Sequence, residues 1–362
     1  MKKIRIAVAD GDPFYLKQLV SLLVKSTQGF EVYSFGKQES LEHFLSGGDP
    51  VDILLVSEDM RSGTTDGCSA VKVLLSEGAA AEPPEGYGSV QKYQKTASLI
   101  AEVLLIYGRK SGRGEDFARG DRETRVIGVW SPVGGSGKTT IALLLSQQLG
   151  MARKKVFYQN WERVNSTRGI LPDEAQIGLS EILVDICGGE RSVGLRIVSK
   201  MAPPTRLGFS YVAPAESALE LDELSLEEQK SFLRTLGELD QFDAVILDFE
   251  SELSGEKREL LGMCQRLVVP FLPDAVSMNK LMGLFHEASL HMDLAQLLER
   301  ALFVGNRVSQ EAQPYLERLG LFQKCAPVAM LPWSRQIADV RTALLSGEGG
   351  GELRLVADML MK

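Results

Sequence analysis

Short apolar runs alternate with amphipathic segments over the first hundred residues of the chain. Five runs have the length and side-chain pattern of β-strands, at residues 4–9, 30–35, 51–56, 71–75 and 89–93. Apolar residues at helical spacing predict three helices, at residues 14–24, 40–45 and 96–107. Ser40 has a side chain typical of a helix N-cap, and we predict that it begins the second helix. Strands and helices in this order predict a compact α/β domain.

A second block of strands and helices begins at residue 125. Its apolar runs predict strands at residues 125–130, 155–162, 241–248, 266–273 and 302–308. Helical spacing predicts helices at residues 139–149, 278–292, 337–347 and 353–360. The same alternation over this longer stretch predicts a second α/β domain with a mostly parallel sheet.

The stretch between the two blocks has a different composition. Residues 108–124 combine glycines with charges of both signs and almost no apolar side chains, which is typical of a linker. A chain of 362 residues also has about the length of two domains. We therefore expect a first domain over residues 1–107, a linker over 108–124 and a second domain over 125–362.

The charge balance argues against a surface built to bind nucleic acid. Lysine and arginine number 40 against 48 aspartate and glutamate residues, which gives a formal net charge of −8. The basic cluster at residues 153–155 is interpreted as a solvated helix end, with a local basic patch as the alternative. Nucleic acid is therefore not an expected partner.

Hydropathy and cysteine usage indicate a cytoplasmic protein. No apolar run approaches the ~18 residues of a membrane span, and the first apolar stretch is too short for a signal peptide. The cysteines are far apart and lack the spacing of metal ligands, so we interpret them as reduced thiols. They are Cys68, Cys187, Cys264 and Cys325.

A glycine-rich turn joins the first strand of the second block to its first helix. Glycines tolerate positive φ, so backbone N–H groups can converge on phosphate oxygens, and the helix N-terminus adds partial positive charge. Lys138 can reach the β- and γ-phosphates, and the Thr139 hydroxyl can ligate Mg²⁺. The predicted phosphate-binding residues are Gly134, Gly135, Ser136, Gly137, Lys138, Thr139 and Thr140.

This turn resembles the deviant signature of the ParA/MinD family of P-loop ATPases, Lys-Gly-Gly-x-Gly-Lys-Thr. Pro132 stands where the common P-loop has its first glycine, and Val133 stands where the deviant form has its first lysine. The resemblance implies a P-loop NTPase fold that binds ATP and Mg²⁺. In typical dimers of this family the first lysine reaches the partner's nucleotide. Val133 cannot make that contact, so dimerisation that depends on ATP does not follow from the resemblance.

Two acidic residues near the ends of predicted strands are candidates for catalysis together with Lys138. The apolar run that ends in Asp248 has the form of a Walker B strand, whose carboxylate can hold the Mg²⁺ water shell opposite Thr139. The resemblance implies that Glu162 orients the attacking water, with Asn160 at the preceding acidic position. Glutamate is longer than the family's aspartate, so we expect slow hydrolysis. An ordinary solvent-facing glutamate is the alternative.

The last predicted strand of the second block and the later segment 328–334 carry the candidate adenine site. Asn306 and Arg307 resemble the family's adenine-reading position, and an asparagine amide can both donate to and accept from the base. Pro332 lies in a segment that resembles the one that packs on the base in this family. Trp333 is a candidate for stacking there, with a core position as the alternative.

The first block resembles a response-regulator receiver domain, which is flavodoxin-like in topology. Asp10 and Asp12 follow the first strand as the receiver's acidic pair does, and Lys92 matches its lysine near the fifth strand. Ser57 stands where the receiver has its phosphoacceptor aspartate, and serine cannot form an acyl phosphate. The resemblance implies an atypical receiver-like domain that binds partners. An unrelated small α/β domain is the alternative.

A defective receiver-like domain joined to a ParA/MinD-type ATPase resembles the TadZ/CpaE branch of that family. The resemblance implies a localisation factor for the assembly machinery of Tad (Flp) pili, with weak ATPase activity. It also implies a homodimer and recruitment to a cell pole at the inner face of the membrane. The implied partners are a pilus-assembly or secretion ATPase and polar landmark proteins.

Three other functions fit parts of the sequence. A DNA-partition ATPase would need a basic DNA-facing stripe, which the acidic balance disfavours. A MinD- or FlhG-like membrane-cycling switch usually ends in a basic amphipathic helix, whereas residues 351–362 are short and not basic. A phosphorelay output protein would need a phosphoacceptor that the first block lacks.

Overall fold

The computed structural model describes most of the chain in two compact units. The described residues are 4–25, 30–48, 50–77, 83–94, 96–111, 124–189, 193–204, 206–239, 241–309, 328–332, 339–346 and 351–362. One unit comprises residues 1–119 together with 191–200, and the other comprises residues 120–190 together with 201–362.

The first unit is built on a parallel sheet whose strands match all five predicted ones. They are β1 (Arg5–Ala9), β2 (Glu31–Phe35), β3 (Ile53–Ser57), β4 (Val71–Ser76) and β5 (Tyr87–Gln91). Their order in the sheet is β2-β1-β3-β4-β5, and each neighbouring pair is parallel. β3 is buried along its whole length because it lies in the middle of the sheet. The flavodoxin-like receiver topology is thereby confirmed.

Helices cover both apolar faces of this sheet. They are α1 (Pro13–Lys25), α2 (Gln38–Ser46), the single turn α3 (Gly63–Asp66) and α4 (Thr96–Ser111), with a 3₁₀ turn at Glu58–Met60. The predicted cap at Ser40 is wrong. The extended residue at the start of α2 is Lys37, which makes no side-chain cap, so Ser40 lies inside the first turn. The helix begins earlier because Gln38 and Glu39 already have helical backbone geometry.

The last helix of the first unit runs further than its apolar pattern predicts. Tyr107, the last predicted residue, is buried, and α4 continues for one more turn to Ser111. The Lys110 ammonium group donates to the backbone carbonyl of Gly86, at 2.6 Å. This bond fastens the final turn to the segment before β5, which explains why a stretch of linker composition begins as a helix.

A helix from the second sequence block belongs to the first unit. Helix α7 (Val193–Lys200) packs on α4, and the buried Leu195 joins the same apolar core as Val103 and Tyr107. The apolar face of α7 is buried, as is usual for an amphipathic helix. The limits 1–107, 108–124 and 125–362 remain predictions about the sequence.

The second unit contains a larger parallel sheet, as expected for its sequence block. The strands are β6 (Arg125–Val129), β7 (Val156–Trp161), β8 (Ser210–Tyr211), β9 (Ala244–Phe249), β10 (Arg266–Phe271), β11 (Ala301–Gly305) and β12 (Ala329–Met330). Their order is β12-β11-β10-β6-β9-β7-β8, and every pair is parallel. Strand β6 therefore lies in the middle, between β10 and β9.

Helices pack on both faces of the second sheet. They are α5 (Lys138–Met151), α6 (Leu179–Cys187), α8 (Leu226–Gly237), α9 (Gly255–Gly262), α10 (Ala275–Leu290), α11 (Met292–Glu299), α12 (Val340–Ser346) and α13 (Arg354–Leu360). Helix α5 is apolar on nearly all sides because it is enclosed between the sheet and the two last helices. Within the described ranges, no helix combines the length and the apolar character that crossing a membrane requires.

One predicted helix of the second unit has wrong ends. The predicted helix over residues 278–292 begins earlier, at Ala275, because the Asp274 side chain accepts from the Ser277 N–H and caps its first turn. It ends at Leu290, since His291 has an extended backbone that separates α10 from α11. The apolar period alone could not locate this break.

The direction of the strands sets the position of the site. The carboxyl ends of parallel strands meet at one edge of a sheet, where α/β proteins hold their ligands. The glycine-rich turn follows β6 at this edge. The loops after β7, β9 and β11 reach the same edge, and they carry the other predicted site residues.

Candidate functional site

The glycine-rich turn has the backbone geometry of an anion-binding loop. Gly135 and Gly137 have positive φ values of 71° and 89°. Gly137 is the N-cap of α5 and supplies no side-chain cap, and the first helical bond runs from the Ile141 N–H to the Gly137 carbonyl. The N–H groups of the first helical turn therefore have no helical acceptor. This leaves them, together with the helix dipole, available to an anion.

Open space lies above the first part of the turn. A Cβ atom added to Gly134 or Gly135 would meet no heavy atom within 4 Å, whereas one added to Gly137 would lie 2.3 Å from the Asn306 amide nitrogen. The turn is thus open where a phosphate would enter and closed on the side of β11.

Alanine should have different effects at Gly137 and at Gly134. Gly137→Ala should destabilise the nucleotide-free protein by ~2 kcal/mol, because alanine is strained at positive φ and collides with Asn306. Gly134→Ala should leave stability within about 0.5 kcal/mol, since its added methyl group meets open space. Urea unfolding of both variants measures the difference. Equal losses would show that the backbone of Gly137 is not constrained.

Lys138 lies at the start of α5 with its side chain buried. Its ammonium group donates to the Ser251 hydroxyl at 2.7 Å. Ser251 belongs to the loop after β9, so the lysine spans the site from the P-loop helix to that loop. The sequence analysis missed Ser251. Its only sequence signal is its position three residues after Asp248.

Asp248 lies at the end of β9 and is completely buried. Its Oδ2 accepts from the Tyr158 hydroxyl and from the Asn160 amide, both at 3.0 Å. Its Oδ1 has no hydrogen-bond partner among the described residues. Burial, and then the neighbouring Glu162 charge, raise the pKa of Asp248 to about 7. Burial also raises the pKa of Tyr158 well above 10, so its hydroxyl remains a donor.

The donor set of this corner suits a magnesium ion. Mg²⁺ prefers oxygen ligands, and the Asp248 Oδ1 atom is a buried carboxylate oxygen without a partner. The Thr139 side chain approaches Asp248 as a hydrogen-bond donor and so opposes the rise in the pKa of Asp248. A buried acceptor left unpaired is costly, and a cation or its bound water would remove that cost.

Glu162 is held within the same cluster. The Ser166 hydroxyl donates to Glu162 Oε2 at 2.5 Å, and the Asn160 amide donates to that oxygen at 3.2 Å. The Ser166 hydroxyl also lies 3.1 Å from the Thr139 hydroxyl. Hydrogen bonds therefore hold the Glu162 carboxylate in place. Ser166 links it to the P-loop helix.

The sequence analysis missed Ser166 because its loop has no apolar periodicity. The Asn165 side chain shapes this loop by accepting from the Thr167 N–H at 2.8 Å and by donating to Asn160 at 3.0 Å. The Asn-Ser-Thr sequence is a turn signal that would have predicted such a loop, but not the residue that it places next to Glu162.

The predicted adenine residues lie at the ends of β11 and β12. Asn306 is buried, and its amide donates to the Ser136 carbonyl at 2.8 Å, so it braces the P-loop. Arg307 follows with a positive φ of 56° and an exposed side chain. Pro332 is exposed beside Leu331, whose carbonyl accepts from the Val308 N–H at 2.9 Å. Their role toward adenine stays a prediction, and Trp333 lies outside the described residues.

Val133 is buried in place of the lysine found in the deviant signature. Its N–H donates to the Ser131 hydroxyl at 3.1 Å. Its effect on dimerisation stays a prediction.

The acidic corner of the first unit is closed by a buried ion pair. The Lys92 ammonium group lies 3.0 Å from Asp10 and 3.0 Å from Glu77. Burial opposes this charge, but the hydrogen bonds to the two carboxylates raise the pKa of Lys92 overall. Ser57 is buried at the end of β3 and donates to the Ala9 carbonyl at 3.4 Å. Asp12 accepts from the Phe14 N–H and caps α1.

The ion pair predicts a stability effect that a double variant can separate. Lys92→Met should destabilise the protein by ~3 kcal/mol, because Asp10 would keep a buried charge without its partner. Adding Asp10→Asn should recover most of that loss, since both buried charges are then gone. Chemical unfolding of the parent, both single variants and the double variant gives the coupling. Purely additive losses would contradict a buried pair.

The fold and these two corners define the class of the protein. Residues 1–108 match the family model described as a TadZ-like receiver domain, and residues 124–296 match the one described as an AAA domain. The chain joins a receiver-like domain to a parallel-sheet α/β domain that carries a P-loop-like turn.

Solved structures support the same fold for the second unit. The MinD cell division protein of Aquifex aeolicus has a TM-score of 0.50 and 17% identity, over 66% of this chain and 97% of its own. A ParA family ATPase from Chlorobium tepidum has a TM-score of 0.53 and 13% identity, over 66% of this chain and 99% of its own. At such identities the likeness concerns the fold alone. A comparison with curated proteins found no match.

Proposed function

We propose that this protein binds ATP together with Mg²⁺ and hydrolyses it slowly. The observation that carries the proposal is the meeting of three features at one sheet edge. They are the uncapped start of α5, the buried Lys138 ammonium group, and the Asp248 carboxylate oxygen without a partner. The negative charge of a triphosphate would balance the positive ends of the first two features. The positive charge of a magnesium ion would balance the Asp248 carboxylate.

Different residues would bind the phosphates and the magnesium ion, according to their charge. Lys138 and the backbone N–H groups of residues 134–140 would hold the phosphate oxygens. Thr139 and Asp248 would hold the magnesium ion, which when bound neutralises negative charge on the phosphates. Lys138 would exchange its hydrogen bond with Ser251 for one with a phosphate, since an ionic acceptor makes the stronger bond.

The base would lie at the ends of β11 and β12. The Asn306 amide nitrogen already donates to Ser136, so its carbonyl oxygen is the atom that would accept from the adenine amine. Arg307 and Pro332 would flank the base. The bond to Ser136 would keep the adenine contact and the phosphate contact at a fixed spacing.

Glu162 would orient the attacking water. Its carboxylate is tied to Ser166 and Asn160, which holds it near Thr139 but also restrains its approach to a γ-phosphate. A displacement of ~1 Å can cost about a hundredfold in rate, so slow turnover is expected.

Glu162→Ala should lower single-turnover hydrolysis at least ~10-fold, because a positioned carboxylate contributes at least that much. Its ATP affinity should stay within about twofold of the parent, since Glu162 holds water and not phosphate. Arg168→Ala is a matched control from the same loop. Unchanged hydrolysis in Glu162→Ala would remove Glu162 from the mechanism.

The TadZ-like receiver domain supports a finer proposal about the cell. The protein would act as a homodimer that localises Tad (Flp) pilus-assembly machinery, with the receiver-like domain contacting a secretion ATPase or a polar landmark protein. Recruitment to the cell pole would then require no membrane span. Fluorescent fusions of the parent and of Lys138→Ala test this proposal. A diffuse parent signal in piliated cells would contradict it.

A further inference from the structure

We propose that Tyr158 and Asn160 are positioning residues that turn the Asp248 carboxylate toward the magnesium ion. The inference rests on the proposed binding of ATP with Mg²⁺. It assigns a role to two residues of β7 that would touch neither nucleotide nor metal.

Both residues donate to the same oxygen of Asp248. The Tyr158 hydroxyl and the Asn160 amide each lie 3.0 Å from Oδ2, whereas Oδ1 has no partner among the described residues. A carboxylate can offer either oxygen to a metal. Two donors on one oxygen decide which of them remains for the cation.

The strand register explains why these two side chains reach Asp248. Strand β7 pairs with β9 in parallel, with Asn160 opposite Asp248. Tyr158 comes two residues earlier on β7, so its side chain lies on the same face of the sheet. Both donors therefore stand on a strand that is paired with β9 and β8, and not on a loop. A rigid support of this kind preserves the orientation of a ligand.

The Asn160 amide is itself locked. Its carbonyl oxygen accepts from the Glu162 N–H at 3.2 Å and from the Asn165 side chain at 3.0 Å. Two N–H donors on the oxygen fix which end of the amide is nitrogen. That nitrogen faces Asp248 Oδ2 at 3.0 Å and Glu162 Oε2 at 3.2 Å. Asn160 therefore connects Asp248, the proposed magnesium ligand, with Glu162, the proposed water-orienting residue.

Packing alone does not explain the Tyr158 hydroxyl. Its side chain is almost completely buried, and phenylalanine would fill nearly the same volume. A hydroxyl removed from water is costly unless it is hydrogen-bonded. Asp248 is the partner that offsets this cost. The hydrogen bond to Asp248, and not the volume of the side chain, therefore explains why a tyrosine stands at this position.

The test separates this role from a structural one. The affinity for ATP is measured by calorimetry in EDTA and again in Mg²⁺, and their ratio is the magnesium-dependent gain. Tyr158→Phe should reduce this gain about tenfold, the lower end of what outer-sphere partners contribute. Its affinity in EDTA should match the parent. Asn160→Ala should reduce the gain at least as much.

Tyr211→Phe is the matched control. Tyr211 is also buried in the second unit and donates to the Pro172 carbonyl at 2.6 Å, away from Asp248. Removing its hydroxyl should leave the magnesium-dependent gain unchanged.

Two results would overturn the inference. The gain in Tyr158→Phe could equal that of the parent, and a fall in affinity by the same factor in EDTA and in Mg²⁺ would then indicate a structural role. Tyr211→Phe could lose the gain to the same extent. A parent that binds no ATP in either buffer would instead refute the proposed function on which the inference depends.

Discussion

Replacing Lys138 with alanine should weaken ATP binding about 100-fold, which corresponds to about 3 kcal/mol. The ammonium group is buried at the start of α5 and is the charged side chain of the P-loop itself. Its replacement leaves the loop N–H groups in place but removes the charge-assisted bond to phosphate. Fluorescence titration with a labelled ATP analogue measures the change.

The control for this variant is Lys154→Ala. Lys154 is an exposed lysine of the same unit, beyond the other end of α5. Its replacement should alter affinity by less than twofold, so a general loss of positive charge cannot mimic the effect. Equal affinities of the parent and Lys138→Ala would refute the assignment of this lysine to phosphate.

Asp248→Asn should stabilise the protein when nucleotide and metal are absent. The pKa of Asp248 is raised from its usual 3.8 to about 7, first because of burial and then because of Glu162. The buried negative charge therefore carries no penalty below about pH 4. The penalty grows as the pH rises and is complete above about pH 7. The amide avoids it, with a gain on the order of 4 kcal/mol at pH 8.

Thermal unfolding in EDTA at pH 5 and pH 8 measures this effect. The advantage of Asp248→Asn over the parent should be larger at pH 8 than at pH 5. Asp358→Asn, which changes an exposed aspartate of α13, should show no such dependence. A loss of stability at both pH values would mean that the parent carboxylate has a partner after all. Added Mg²⁺ and ATP should stabilise the parent and not Asp248→Asn.

The features that sequence predicted best are those with local causes. The P-loop geometry follows from glycines at positions that need positive φ, and the structure has positive φ at Gly135 and Gly137. The strands of the first unit follow from short apolar runs, and each overlaps its run, although β5 begins and ends two residues earlier than the predicted 89–93. The parallel order of both sheets follows from strands that alternate with helices.

The features that sequence could not predict depend on contacts between distant residues. Ser251 meets Lys138 across 113 positions, and Tyr158 meets Asp248 across 90. No periodicity encodes such a meeting, because it arises from the order of strands in the sheet. Helix α7 is a similar case. Its amphipathic pattern predicts that one face is buried, but not that this face packs in the first unit.

Direct calorimetric titration of the full chain with ATP tests the central claim. In the presence of Mg²⁺ we predict saturable binding of one nucleotide per chain, and weaker binding of the same stoichiometry in EDTA. A titration that shows neither heat nor saturation in Mg²⁺, confirmed by equilibrium dialysis with labelled ATP, would contradict the account.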